Sequence, residues 1–430
     1  MTAGVTLLIF FILLACAIPI GVAMGIITAV SGSVDPGFAA DSAYVIRSML
    51  DGIDGSTLLA VPMFVLSGII MAKGGISRRL FDLFIYIFGK RTAGIPCAVI
   101  ATCLFYGAIS GSAPATVIAV GGMAIPMLAH LGYDKVFVVA LIAVSSSLAV
   151  IIPPSIPFVL FGASTGVSVG HLFTAGILPG LLVAIFLMAY ALVYCKINGE
   201  DRDTIHFTVK ALRDQGFEKV LKGSVWALLT PVIILGCICG GVATPAEASV
   251  ISVYYALVVS VFFYKTLAPK DIWGILIESV KTYGPILFLL AAAAAFSRVI
   301  VLLEVPVLMG NWVLTHGVNK LVLLFIVNVV LFLVGMLMDT SPAILILAPV
   351  LSPIVAQVGV DPVHFGVIMV VNLAIGFVTP PVGINLFVAK SMSGLPIMTI
   401  AKKAAPMILL FGAALLLIIF IPAISLAFVG

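Results

Sequence analysis

The polar positions of this chain are few and bunched, and the apolar runs between them are long. Between Lys135 and Lys196 lie 60 consecutive residues without Asp, Glu, Lys or Arg, and residues 92–133 form another charge-free run of 42. A helix crossing the hydrocarbon core of a membrane needs about 20 apolar residues, so the first run holds several crossings. Lipid offers no hydrogen-bond partners, which leaves α-helices or a closed barrel. A barrel would alternate apolar and polar over segments of about 10 residues, whereas these runs are continuous. The pattern predicts an all-α polytopic membrane protein. Its opening run, residues 4–30, lacks the basic start of a secretory signal and is too long for its apolar part, so it reads as a first membrane helix.

Two kinds of interruption break the apolar runs. Near the centre of residues 92–133 stands Gly107-Ala-Ile-Ser-Gly-Ser-Ala-Pro114, full of helix breakers and hydroxyls. Two apolar flanks meeting at such a tip predict a re-entrant hairpin that enters and leaves on one side. Residues 321–338, then Asp339-Thr-Ser-Pro342, then residues 343–357 repeat the plan. A close helix contact of the small-residue type would account for Ser110-Gly-Ser112, but not for a broken tip at matching positions. The other interruption is a proline pair, in Ile151-Ile-Pro-Pro-Ser-Ile-Pro157 and in Phe377-Val-Thr-Pro-Pro-Val-Gly-Ile-Asn385. Proline removes a backbone donor and pushes its predecessor to extended geometry, so both helices should unwind there.

The matching positions amount to an internal repeat. Pro153-Pro154 recurs as Pro380-Pro381, Pro126 as Pro353, and the stretch ending at Asp134 as the one ending at Asp361, all 227 positions apart. Ala113-Pro114-Ala115 recurs as Ser341-Pro342-Ala343 at a spacing of 228. The chain therefore divides into a first half, residues 1–197, a linker, residues 198–223, and a second half, residues 224–430. The first comprises arm and scaffold helices (1–91), hairpin and broken helix (92–170) and a return helix (171–197). The second repeats these as 224–317, 318–390 and a final helix, 402–428. Duplicated halves mark secondary transporters, whose site lies near the bilayer midplane between the repeats. Inverted repeats are the expected arrangement, with an odd number of crossings per half.

Unwound backbone at membrane depth is tolerated where it is buried in protein or lines a cavity. Its freed carbonyls, with the hydroxyls of Ser155 and Thr379, are hard oxygen ligands suited to Na⁺. Half-helix N-termini add positive dipole ends that favour an anionic group. The same parts thus suggest a coupling ion and an anion.

Composition and charge narrow the rest. The 430 residues are 63% hydrophobic and 9% charged, far below the roughly 25% charge of soluble domains, and mean hydropathy is +1.33. Lys196, Arg202, Lys210, Arg213, Lys219 and Lys222 place the linker in the cytoplasm by the positive-inside rule. Acids interspersed among them argue against nucleic-acid binding. The six cysteines sit in apolar runs without a CxxC and read as small hydrophobic residues. No HExxH or GxxxxGK[ST] occurs, and the membrane runs hold few titratable groups, which argues against an enzyme. A channel would need a ring of repeated ligands, and a proton-coupled carrier a relay of intramembrane acids and histidines. Glu247 reads as structural, Arg298 and Glu304 as a pair, and residues 41–53 and 270–281 as amphipathic arm helices. Lys90, Arg91, Lys402 and Lys403 read as anchors reaching for the head groups.

Four stretches resemble the large membrane subunit of the tripartite ATP-independent periplasmic (TRAP) transporters: Gly107-Ala-Ile-Ser-Gly-Ser-Ala-Pro-Ala-Thr116, Gly241-Val-Ala-Thr-Pro-Ala-Glu-Ala248, Met338-Asp-Thr-Ser-Pro342 and Gly376-Phe-Val-Thr-Pro-Pro-Val-Gly-Ile-Asn385. Overall similarity is nearest the sialic-acid branch. The resemblance implies a sodium-driven importer of an organic acid in a bacterial inner membrane, working by an elevator motion. Its partners would be a small four-helix membrane subunit and a periplasmic substrate-binding protein. Two Na⁺ sites are implied, the first at Ser110, Ser112 and Ser155, the second at Thr340, Gly376, Thr379 and Gly383. Asp339, with Ser110 and Ser155, would contact substrate. Neither tip carries an arginine to clamp a carboxylate.

Overall fold

The computed structural model describes residues 3–16, 18–34, 42–315 and 319–429, and every regular element in them is helical. The opening run is two helices, α1 (Ala3–Ala15) and α2 (Ile20–Val34), packed on one another. The single first membrane helix expected there is broken at Pro19, which cannot donate to the preceding turn. α3 (Ser42–Ile53) is amphipathic, as an arm helix should be, and packs along a later helix; Asp41 lies outside the described residues. The chain then bends by 64° into α4 (Ala60–Lys73). After α5 (Ile76–Phe88) comes the first hairpin, α6 (Gly94–Ser110) and α7 (Ala113–His130).

The first broken helix begins as α8 (Lys135–Ser145), tightens to a 3₁₀ turn over Ser146–Val150, loses helical form at the proline pair and resumes as α9 (Ile156–Thr165). α10 (Val169–Asn198) returns across the protein, and α11 (Arg202–Arg213) is an amphipathic helix inside the linker. The second half opens with α12 (Phe217–Cys239), α13 (Pro245–Val258) and α14 (Pro269–Leu302). After α15 (Val305–Thr315) comes the second hairpin, α16 (Lys320–Leu337) and α17 (Thr340–Gln357). The second broken helix is α18 (Pro362–Gly376) and α19 (Ile384–Ser393), followed by α20 (Ile397–Phe420) and the short α21 (Ala423–Leu426). The final helix, expected over 402–428, starts after Pro396 and stops before Pro422.

The two broken helices form the centre. Residues 137–162 and 363–378 are all buried, as their all-round apolar sequences require. The halves interlock there: α9 packs on α17, α19 on α7, α20 on α8 and α10 on α18. Longer helices surround them and turn large apolar side chains outward, among them Ile185, Phe325 and Leu409. Among the described residues, eight helices are long and apolar enough to cross a membrane.

Charges at the rim find partners that sequence spacing does not reveal. Arg298 reaches Ser48 at 3.2 Å and Asp51 at 3.4 Å on α3, so the pairing expected with Glu304 does not form. Glu304 follows the end of α14 in a left-handed conformation, φ 53°, and the arm helix supplies the acid instead. Lys403 is no free anchor either, because it holds Asp134 at 2.9 Å and lies over the Tyr194 ring. Glu247 closes a capping box with Thr244 at the start of α13, the structural role expected of it.

Candidate functional site

The first hairpin tip turns at Gly111, whose φ of +60° favours glycine; a Cβ there would also stand 3.1 Å from the Pro154 carbonyl oxygen. Thr116 Oγ1 donates to the Ser112 carbonyl at 2.9 Å and lies 3.1 Å from Ser110 Oγ. With the threonine proton engaged, the Ser110 hydroxyl is left to donate to Thr116 or, at 3.4 Å, to the Ser112 carbonyl, while its Oγ accepts from Ser112 N at 3.4 Å. α4 approaches closely through Gly68, where a Cβ would stand 3.1 Å from Ser110 Cα.

The second tip is built on a cap. Asp339 is the N-cap of α17, and its Oδ1 accepts from Ser341 N at 3.3 Å and from Thr340 Oγ1 at 3.1 Å. Behind it, α16 and α18 touch backbone to backbone, since a Cβ on Gly376 would fall on the Gly335 carbonyl group. The unwound segment is tied down by Val382 N donating to Met336 O at 3.3 Å and Asn385 N to Phe377 O at 3.0 Å. Gly383 holds φ +57°, and Thr379 Oγ1 donates to Ile375 O at 2.8 Å.

Both tips open into one cavity of about 570 Å³, with α4 and α14 on the opposite side. Ser110, Ser112, Asp339 and Thr340 line it together. So do the first residues of α7 and of α17, which brings two helix N-termini to the same space. Ser155, Gly376, Thr379 and Gly383 do not line it. Ser155 is fully buried and caps α9, donating to Val150 O at 2.6 Å and accepting from Phe158 N at 3.4 Å.

Other polar groups were not singled out from sequence. Lys73 and Glu278 pair at 2.6 Å in the cavity wall. Asn385, buried in α19, donates to Ala143 O at 3.0 Å and Ser147 Oγ at 3.2 Å, so it joins the second half to the first. Its Oδ1, and the Oδ1 of Asn372 in α18, are buried without partners, as is Ser145 Oγ. Buried acceptors rarely stay unpaired, and neutral oxygens of this kind fit a hard monovalent cation. No cluster of three His, Cys, Asp or Glu side chains fit for a metal ion occurs among the described residues.

Residues 7–424 match the family described as "Tripartite ATP-independent periplasmic transporter, DctM component". The chain belongs to that family. It is 39% identical over 98% of its length to the isethionate TRAP transporter permease protein DctMQ of Oleidesulfovibrio alaskensis, and spans 65% of that relative's length. Against the C4-dicarboxylate TRAP transporter large permease protein DctM of Pseudomonas aeruginosa the identity is 37%, covering 86% of each chain. The sialic acid TRAP transporter large permease protein SiaM of Vibrio cholerae is 35% identical, over 89% of this chain and 88% of its own. The fold is shared at 16% identity with the YdaH transporter of Alcanivorax borkumensis, with a TM-score of 0.61 and 90% of each chain covered. This DctM-family chain is thus a multi-pass protein of the inner membrane and a transporter permease by family, not an enzyme.

Proposed function

We propose that this chain moves a small organic acid into the cell by coupling its passage to Na⁺, with the cavity between the hairpin tips as the substrate site. One observation carries the reading: two tips 228 positions apart in sequence line a single cavity and bring two helix N-termini into it. Positive dipole ends favour an anion there. Ser110, Ser112 and Thr340 offer hydroxyl oxygens to Na⁺ at the cavity. Ser155, Gly376, Thr379 and Gly383 act from behind it, through backbone carbonyls and the shape they give the unwound segments. Asp339 faces substrate hydroxyl or amide groups, and a nearby Na⁺ offsets its repulsion of the substrate carboxylate.

The relatives are named for isethionate, C4-dicarboxylates and sialic acid, small anions rich in oxygen. Sialic acid is the substrate the sequence resemblance favours, but its relative is no more similar than the others, so the reading is for the organic-acid class. In this reading the two halves are inverted, and the hairpins with the broken helices ride as one body against α4, α12, α13 and α14. A periplasmic binding protein delivers the acid and a small membrane subunit braces the scaffold. Filter binding of labelled sialic acid, isethionate and succinate to the purified protein tests the site. Retention of at least one acid, in Na⁺ and not in K⁺, is expected; no retention of any acid in either salt overturns the reading.

A further inference from the structure

A different cavity, of about 590 Å³, lies between α11 and the turn from α5 to α6. Its wall carries Lys90 and Arg91 from the turn, and Arg202, His206, Lys210 and Arg213 from one face of α11. Two acids stand among them. Glu200 is engaged elsewhere, since both its oxygens accept from Ala93 N, at 3.0 and 3.1 Å, and Oε1 also accepts from Tyr133 OH at 2.6 Å. Asp214 forms no ion pair among the described residues, and neither does any of the five Lys and Arg side chains. Arg213 donates to Tyr86 O at 2.8 Å and lies over the Tyr86 ring, leaving its Nε buried without a partner. Ile205 and Val209 add an apolar floor.

So much unmatched positive charge around one space, with a buried N–H to satisfy, suits an anion with several oxygens. The place selects which one. α5 ends here, α6 begins here, and α12 begins at Phe217, whose ring packs 5.4 Å from that of Tyr86. Meeting helix ends mark the head-group level, and the basic linker marks the cytoplasmic side. The abundant anions at that depth are phosphates of acidic lipids, which bind basic pockets on this face. We propose that the linker cavity holds the phosphate of an anionic phospholipid of the inner leaflet. The lipid then clamps α11 to α5, and Glu200 carries the restraint to both ends of the first hairpin, at Ala93 and Tyr133.

The test is native mass spectrometry and thermal unfolding of the full chain in nanodiscs of phosphatidylethanolamine with or without phosphatidylglycerol. Wild type should retain phosphatidylglycerol and gain thermal stability from it. Lys90→Gln/Lys210→Gln removes two side chains without ion-pair partners among the described residues, and should reduce retention to the level of phosphatidylethanolamine. Lys219→Gln/Lys222→Gln, an equal charge change in the same linker outside the cavity, should keep both effects. Undiminished retention in the first variant, or equal loss in the second, overturns the site. Stabilisation reproduced by inorganic phosphate without phosphatidylglycerol assigns it to a soluble anion and overturns the lipid.

Discussion

Lys73 Nζ, in the last turn of α4, and Glu278 Oε2, in α14, meet at 2.6 Å in the wall of the cavity that holds both hairpin tips. Both side chains are about half exposed, at 42% and 51%, and such a pair is worth up to about 1 kcal/mol. It opens cheaply, and Lys73 is the one basic side chain among the described residues lining that cavity. Lys73→Gln should weaken binding of the organic acid by up to about tenfold, which corresponds to 1.4 kcal/mol. Glu278→Gln should leave binding unchanged or tighten it. A pair that only pins α4 to α14 would weaken binding in both variants, which titration of labelled acid distinguishes.

Asp339 both caps α17 and lines the cavity, and two substitutions separate the roles. Asn caps about as well as Asp, so Asp339→Asn should fold and reach the membrane while losing most Na⁺-driven uptake. Asp339→Ala should also lower stability, by about 0.5–2 kcal/mol. Normal transport by Asp339→Asn would reduce this residue to a cap.

The contact of Gly335 with Gly376 leaves no room for a methyl group. Gly376→Ala has to push α16 from α18, at a cost of about 1–3 kcal/mol, and its thermal midpoint should fall. An unchanged midpoint would show that the two helices part easily.

Burial raises the Asp134 carboxyl, but the bonds from Lys403, Val136 N and Tyr194 outweigh it and hold the group below the ordinary aspartate range. A depressed pKa gives stability that is present above the unfolded value of about 3.9 and lost as pH falls through the folded one. Wild type should therefore exceed Asp134→Asn in thermal midpoint at pH 7, and the gap should close as the solution is acidified below about pH 4. A gap independent of pH would contradict this.

The hairpins and the unwound helices were legible because backbone chemistry is local. Gly111, Pro153-Pro154 and Pro380-Pro381 break a helix wherever they stand. Pro19 carries the same signal, but so apolar a run on both sides of it masks the break between α1 and α2. What depends on packing was hidden. Ser155 beside a proline pair resembles a ligand, but its hydroxyl is taken by the Val150 carbonyl that the break sets free. Glu304 is the acid near Arg298 in sequence, while Asp51 is the one near it in space. Lys73 carries no pattern of its own in the sequence and Glu278 reads as one polar position of the amphipathic stretch 270–281, until the fold brings α4 beside α14. Asn385 stood in a recognised motif, and only its bonds to Ala143 and Ser147 show that it ties the halves together.

The shortness of the described polar segments gives the account another test. The described polar segments are short, the longest being the linker around α11. The chain reconstituted alone with Na⁺ and free acid should transport little, and a matching periplasmic binding protein with the small subunit should restore uptake. Rapid uptake by the chain alone would refute the division of labour.

The most direct test of Na⁺ coupling is the Na⁺ dependence of acid uptake into proteoliposomes containing the assembled transporter. Ser110, Ser112 and Thr340 at the cavity, with Ser155, Gly376, Thr379 and Gly383 behind it, predict uptake that requires Na⁺ and rises more steeply than first order in its concentration. Equal uptake in K⁺, driven by a proton gradient alone, would contradict it.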